Sequence, residues 1–213
     1  PSIYFAHRRR VVRRGALLVA ADLYEQTQDS NRALDVYRRY VAAFPKPLEL
    51  ALESRHKIAG IYKTRNDTKA YFGELQQIMD MDARAGRDRS DRTRFLGANA
   101  ALGLTEPLYE QLTAIQLVKP FDKNLLKKKA AMKAATDGFS KLVKYEVGDV
   151  TAAATYYLAE IYFHFNRALT ESERPDNLSA AELEQYELAI EEQAFPFAEK
   201  AIATHQKNIE LLS

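Results

Sequence analysis

The side chains that could exchange protons near neutral pH are the four histidines, which are scattered along the chain. His164 is the most suggestive of them, because Glu160 precedes it by one helical turn and the two could ligate a metal ion. No third or fourth ligand is evident, and the HExxH pattern of metalloproteases is missing. We therefore expect His164 to be a structural histidine and expect no metal site.

Other catalytic patterns are also missing from the sequence. Glu191 and Glu192 are adjacent, and adjacent helix positions point about 100 degrees apart, so these carboxylates do not converge on one substrate. Cysteine is absent, which excludes thiolate nucleophiles, zinc–thiolate sites and iron–sulfur clusters. Neither phosphate-binding glycine loops nor a GxSxG elbow occurs. The sequence predicts a protein that is not an enzyme and that uses no cofactor or small-molecule substrate.

Charged residues occur in blocks, although the formal net charge is only +2. Arg8–Arg14 and Lys119–Lys133 are basic, whereas Glu171–Glu192 is acidic. Spacing by four residues would place three of the lysines on one helix face as a basic ridge, although no aromatic residues for base stacking accompany it. One alternative function is therefore binding of nucleic acid or anionic lipid through a basic surface. The residues of that predicted surface are Arg8, Arg9, Arg10, Arg13, Arg14, Lys119, Lys123 and Lys127.

Residues that interrupt helices are scarce, with 8 Gly and 7 Pro among 213 residues, and this argues against a β-sandwich or a β-barrel. Apolar residues recur at helical intervals in nearly every longer segment, and sustained alternation is missing. The pattern predicts an all-α chain of about ten helices. The predicted helix hairpins cover, approximately, residues 14–45, 48–85, 91–118, 122–169 and 179–212.

Capping and helix-breaking residues predict the helix boundaries. Ser30 or Asn31 can begin the second helix, and Ser179 can begin a later one, because these side chains accept hydrogen bonds from free amides. Proline lacks an amide donor, so we expect a break at Gly103–Pro107 and a helix start or kink at Pro196.

A small residue followed three positions later by tyrosine recurs at Ala21–Tyr24, Ala59–Tyr62 and Ala159–Tyr162. In stacked helix hairpins the small residue lets a neighbouring helix approach, and the aromatic ring fills the space beside it. Residues 14–45 resemble a tetratricopeptide repeat, whose motif positions fall on Ala21, Tyr24, Ala33, Tyr37 and Pro45. The resemblance implies a single domain with the form of a right-handed α-solenoid.

The same resemblance implies a function in protein binding. In this family the first helix of each hairpin lines a concave groove that binds a peptide or a helix, with aromatic residues as anchors and charges that set the register. We therefore expect a non-catalytic scaffold whose partner is another protein. The groove positions are Asp22, Glu25, His56, Lys63, Tyr156, Glu160 and Phe163.

The two ends of the chain suggest a context. The chain opens with Pro1 and not with Met, so we expect a piece of a longer protein. Residues 185–208 loosely resemble the ends of large bacterial repeat proteins of the cell envelope, which implies a periplasmic or envelope location, with the cytoplasm left open. A further alternative is a structural segment of a repeat array that self-associates through Arg8–Arg14 and Glu171–Glu192.

Overall fold

The structure, a computed structural model, describes the backbone of residues 3–212 and the side chains of residues 8–210. Pro1, on which the expectation of a longer protein rests, lies outside them. The described residues form eight α-helices and two short 3-10 turns, without a strand, and the all-α prediction is confirmed. The helices are α1 (Ile3–Gln26), α2 (Ser30–Ala43), α3 (Leu48–Thr64), α4 (Thr68–Ala83), α5 (Asp91–Ala114), α6 (Phe121–Leu142), α7 (Gly148–Thr170) and α8 (Ala180–Leu212).

The prediction of about ten helices is wrong, first because α5 continues through the expected break at Gly103–Pro107. Thr105 and Leu108 stand on either side of the proline ring, and both pack against Gly138 of α6. A break at Pro107 would separate these two contacts. The lost backbone hydrogen bond is therefore compensated by packing on both sides of it.

The second long helix, α8, likewise continues through Pro196. Ala194 and Phe197 flank this proline, and both belong to the cluster that packs around Phe165 of α7. Continuous contact with α7 keeps the helix intact where a single missing amide would otherwise favour its end.

The first helix begins well before the predicted start at residue 14, so that Arg8–Arg14 lies on α1. The predicted cap of α2 by Ser30 or Asn31 is wrong by one residue, because Asp29 accepts the hydrogen bond from the Arg32 amide at 3.0 Å. The predicted cap at Ser179 is confirmed. Its hydroxyl accepts from the Glu182 amide, and the Glu182 carboxylate accepts from the Ser179 amide at 2.8 Å.

The chain divides into two compact units, of which the first ends at Leu104 and the second begins at Thr105, within α5. In the first unit α1 packs on α2, α2 on α3 and α3 on α4. Whether the two units form one repeat domain, as the sequence predicts, stays a prediction. The cores of the first unit consist mainly of Ala21, Ala33, Tyr37, Ile58, Tyr62, Leu52, Leu75, Ile78, Leu96 and Ala100.

In the second unit α6 packs on α7, and α7 packs on α8. Phe139 stacks on Tyr157 with 4.5 Å between ring centroids, and Tyr109 meets Tyr157 edge-on at 5.3 Å. None of the described helices combines the length and the apolarity that crossing a membrane requires. A second cluster of this unit contains Leu117, Phe165, Leu169, Ile190 and Ala194.

Candidate partner-binding surfaces

Two ion pairs join alternate helices in the first unit. Lys57 of α3 pairs with Glu25 of α1 at 2.7 Å, and Arg92 of α5 pairs with Glu53 of α3. His56, a predicted groove residue, is exposed beside the second pair. The charges of Glu53 and Arg92 both act on its imidazole. The structure thus brings Glu25 and His56 onto neighbouring first helices.

Asp22, another predicted groove residue, is engaged inside the first hairpin. Its carboxylate accepts a hydrogen bond from the Tyr37 hydroxyl of α2 at 3.3 Å. Burial raises the pKa of Tyr37 above its usual value, and the nearby charges of Glu25 and Asp22 raise it further. Both carboxylates therefore help to hold the hairpin together as well as bordering the surface.

Lys63 lies at the end of α3, where its ammonium stands 5.6 Å from the centroid of the Tyr71 ring of α4. The cation therefore contacts the second helix of its own hairpin. Glu25, by contrast, belongs to the ion pair between α1 and α3, and His56 lies beside the ion pair between α3 and α5. The predicted groove residues of the first unit therefore do not all make the same kind of contact: Lys63 contacts its own hairpin, whereas Glu25 and His56 lie at contacts between α1, α3 and α5.

In the second unit, Tyr156, Glu160 and Phe163 share one face of α7, because they are spaced by four and three residues. Tyr156 is 47 % exposed and Phe163 is 48 % exposed, so both rings remain open to a partner. His205 of α8 lies against this face, with its Nε2 3.3 Å from Glu160 Oε1 and its ring 5.9 Å from the Tyr156 ring. We call Tyr156, Glu160, Phe163 and His205 the aromatic surface.

His205 is a member of this surface that the sequence does not reveal. It stands on a different helix from Tyr156 and Glu160, and only the packing of α8 on α7 brings the three together. Spacing rules describe neighbours on one helix and not across two helices, so no local signal identifies this histidine.

Glu160 contacts His205 of α8 and not His164, its neighbour one turn along α7. His164 instead lines a cavity of about 280 Å³ with Lys128 and Arg167, and its ring meets that of Tyr109 edge-on. Its Nδ1 is buried and has no hydrogen-bond partner among the residues that the structure describes. Burial, together with the charges of Lys128 and Arg167, lowers the pKa of His164 to about 4, so this imidazole is neutral at pH 7.

Lys128 belongs to the basic block Lys119–Lys133 of the sequence, but it does not lie on the surface. Its side chain is fully buried, and its ammonium donates to the carbonyls of Leu112 at 2.9 Å and of Ile115 at 2.6 Å. These carbonyls lie at the end of α5, where the Leu112 carbonyl accepts one long backbone bond, from the Ile115 amide at 3.4 Å. Burial, and secondarily the charge of Arg167, lower the pKa of Lys128 to about 8.

The predicted basic ridge is also interrupted at its beginning. Lys119 precedes α6, so it cannot share a helix face with Lys123 and Lys127, which are exposed on that helix. Its ammonium pairs with Asp176 and lies 3.7 Å from Glu173, so acidic residues neutralise its charge. The prediction of a continuous ridge over these three lysines is therefore wrong.

The arginine block of α1 faces two ways. The Arg10 guanidinium lies 5.8 Å from the centroid of the Phe44 ring, and with Arg14 it borders a cavity of about 230 Å³. Arg8, Arg9 and Arg13 are exposed, and none has an ion-pair partner among the residues that the structure describes. Only part of the predicted block is thus free to meet a charged partner.

Comparison with known proteins adds no relative to these observations. No family model, no curated protein and no solved structure matches the chain. The functional interpretation therefore depends on the surfaces themselves.

Proposed function

We propose that this chain is a non-catalytic protein-binding scaffold, and that it binds a peptide or a helix of another protein on the aromatic surface. The observation that carries the proposal is the exposure of Tyr156 and Phe163, two turns apart on one face of α7. Large aromatic side chains are costly to leave in water, and they dominate the energetics of protein interfaces. A partner that covers both rings would gain most of its affinity from them.

The contact between Glu160 and His205 gives this surface a polar group between its two anchors. A carboxylate at that place favours a partner with a basic residue at the matching position, because charges at an interface set register more than affinity. We therefore propose a basic, amphipathic helix or an extended basic peptide as the partner.

We further propose that the hairpins form a repeat of the tetratricopeptide type, with the curvature of an α-solenoid. The ion pairs between α1 and α3 and between α3 and α5 support this, because such repeats place their first helices side by side. Asp22, Glu25 and His56 would then form a second, polar binding region. A bacterial envelope setting is part of the proposal on the resemblance of residues 185–208 alone.

The alternative of a nucleic-acid or lipid surface has less support. The charge of Lys119 is balanced by Asp176, and Lys128 is buried. Of the predicted ridge, only Lys123 and Lys127 remain available to a nucleic acid or a lipid. Titration of double-stranded DNA at two salt concentrations addresses this alternative. Tight binding that weakens steeply with salt and is lost in the Lys123→Gln/Lys127→Gln variant would revive it.

The proposal can be tested with peptides selected from a phage-displayed random library, each long enough for about four helical turns. We expect selected sequences to carry apolar and basic residues, and to bind the Tyr156→Ser/Phe163→Ser variant at least about 10-fold more weakly than the wild type. Leu126→Ser is the matched control, since Leu126 is 70 % exposed on α6 and lies outside the aromatic surface. Equal binding of the peptides to wild type and double variant would contradict the proposal.

A further inference from the structure

The outer face of α1 carries apolar residues that nothing in the first unit covers. Val12, Val19 and Leu23 are spaced by seven and four residues and are 65 %, 60 % and 54 % exposed. The opposite side of the helix packs into the core through Ala21 and Leu17. The basic face consists of Arg8, Arg9, Val12, Arg13, Val19 and Leu23, and its arginines have no ion-pair partner among the described residues.

The outer face of α8 also carries exposed apolar residues, and the charged residues beside them are acidic. Leu188, Phe195, Ile202 and Ile209 recur every seventh residue, and each is at least 60 % exposed. Seven residues are close to two helical turns, so these side chains stay on one side of the helix. The acidic face consists of Leu188, Phe195, Ile202 and Ile209 with Glu191, Glu192 and Glu199, and these glutamates have no ion-pair partner in the described part of the chain.

We propose that the basic face of one copy of this chain binds the acidic face of a second copy. The exposed charges beside the apolar stripe of α8 are glutamates, and those beside the stripe of α1 are three arginines with Asp22 as the exception next to Leu23, so the two faces are complementary in net charge. Contact would remove seven exposed apolar side chains from water and would set Arg8, Arg9 and Arg13 opposite the glutamates. The proposal does not rest on the aromatic surface, whose two exposed rings lie on α7 and of whose residues only His205 stands on α8.

The charges also explain why unlike faces should pair. Two basic faces in contact would bring arginines together, and two acidic faces would bring glutamates together, which is unfavourable in both cases. A contact between unlike faces is heterologous, so each copy retains one unused face after the first contact. Association should therefore continue beyond a dimer unless it closes into a ring.

Sedimentation of the full chain tests the proposal. We expect the average mass of the wild type to rise with concentration over the micromolar range, and to rise less at high salt, because salt screens the charge contacts. Val19→Glu places an acid on the basic face, and Ile202→Lys places a base on the acidic face. Each variant alone should associate at least about 10-fold more weakly than the wild type.

Mixing the two variants is the decisive measurement. Val19→Glu keeps an intact acidic face and Ile202→Lys keeps an intact basic face, so the two variants should form a complex with each other at concentrations where neither associates alone. Leu126→Lys, which adds a charge at an exposed residue outside both faces, should associate like the wild type. Circular dichroism of each variant confirms that the helices are retained.

Three results would overturn the proposal. The wild type could remain monomeric at the highest concentration, the single variants could associate as the wild type does, or the mixed variants could fail to form their complex. Association that strengthens with salt would also contradict it, because that behaviour indicates general apolar aggregation. None of these results bears on peptide binding through Tyr156 and Phe163, which belong to neither face, so the two proposals fail separately.

Discussion

Each of the two units buries a charged side chain, and the two units stabilise that charge differently. In the first unit Asp82 of α4 is 1 % exposed and accepts two hydrogen bonds from the Arg89 guanidinium, at 3.1 and 2.8 Å. In the second unit Lys128 is fully buried and donates to two carbonyls at the end of α5. One charge is balanced by an opposite charge, and the other is balanced only in part by backbone dipoles, since burial lowers the pKa of Lys128.

This difference determines whether the hydrogen-bond partners of Asp82 or of Lys128 can reach water when that residue is removed. Arg89 is partly exposed and can turn into water if Asp82 is lost. The carbonyls of Leu112 and Ile115 belong to the backbone and cannot move to solvent in the same way. We therefore expect the second unit to be the more sensitive to loss of its buried charge.

The largest expected effect is that of Lys128→Ala. The substitution removes two hydrogen bonds to the carbonyls at the end of α5 and leaves a cavity, so we expect a loss of about 3 kcal/mol in the free energy of unfolding. Urea denaturation measures the change. Lys127→Ala is the matched control on the exposed side of the same helix, and it should change stability by at most about 0.5 kcal/mol. Equal effects of the two substitutions would show that Lys128 is not the residue that caps α5.

A smaller loss is expected from Gly97→Ala in the first unit. A Cβ at Gly97 would lie 2.7 Å from both Cβ and Oδ2 of Asp82, so the helices α4 and α5 would have to separate or Asp82 would have to leave Arg89. We expect a destabilisation of about 2 kcal/mol, measured by urea denaturation.

Gly60→Ala provides the control for Gly97→Ala, because Gly60 is also within a helix but a Cβ there would meet nothing within 4 Å. This substitution should stabilise the protein by about 0.5 to 1 kcal/mol, since alanine is the better helix former. A similar loss of stability for both variants would mean that the contact with Asp82 is not the cause.

The helices themselves could be predicted because apolar spacing along the chain reflects which side of each helix is buried. Their continuity through Pro107 and Pro196 could not, because it depends on contacts with α6 and α7 that local residue preferences do not describe. Two glycines within helices differ in the same way, because a Cβ at Gly97 would collide with Asp82 and a Cβ at Gly60 would meet nothing within 4 Å. The sequence alone does not distinguish the glycine that is needed for close packing from the one that is not.

The candidate sites follow the same division. The resemblance to the tetratricopeptide repeat predicts Tyr156 and Phe163 as groove residues, and the structure places both in exposed positions on α7. The burial of Lys128 among three consecutive lysines is not predictable, because its cause is the position of the α5 carbonyls. The spacing rules succeed within helices and fail where two helices meet.

The smallest of the expected losses concerns His164, the neutral polar group beside Lys128. Its pKa of about 4 lies below the usual value of about 6.5, so between these values the unfolded chain binds more protons than the folded protein. Stability should therefore fall as the pH decreases from 6.5 towards 4. Between pH 6.5 and 5, the free energy of unfolding of His164→Gln should decrease by about 1 kcal/mol less than that of the wild type. Urea denaturation at each pH measures both decreases. Identical pH profiles would mean that protonation of this histidine does not oppose folding, and the contrast between the two units would then rest on Lys128 alone.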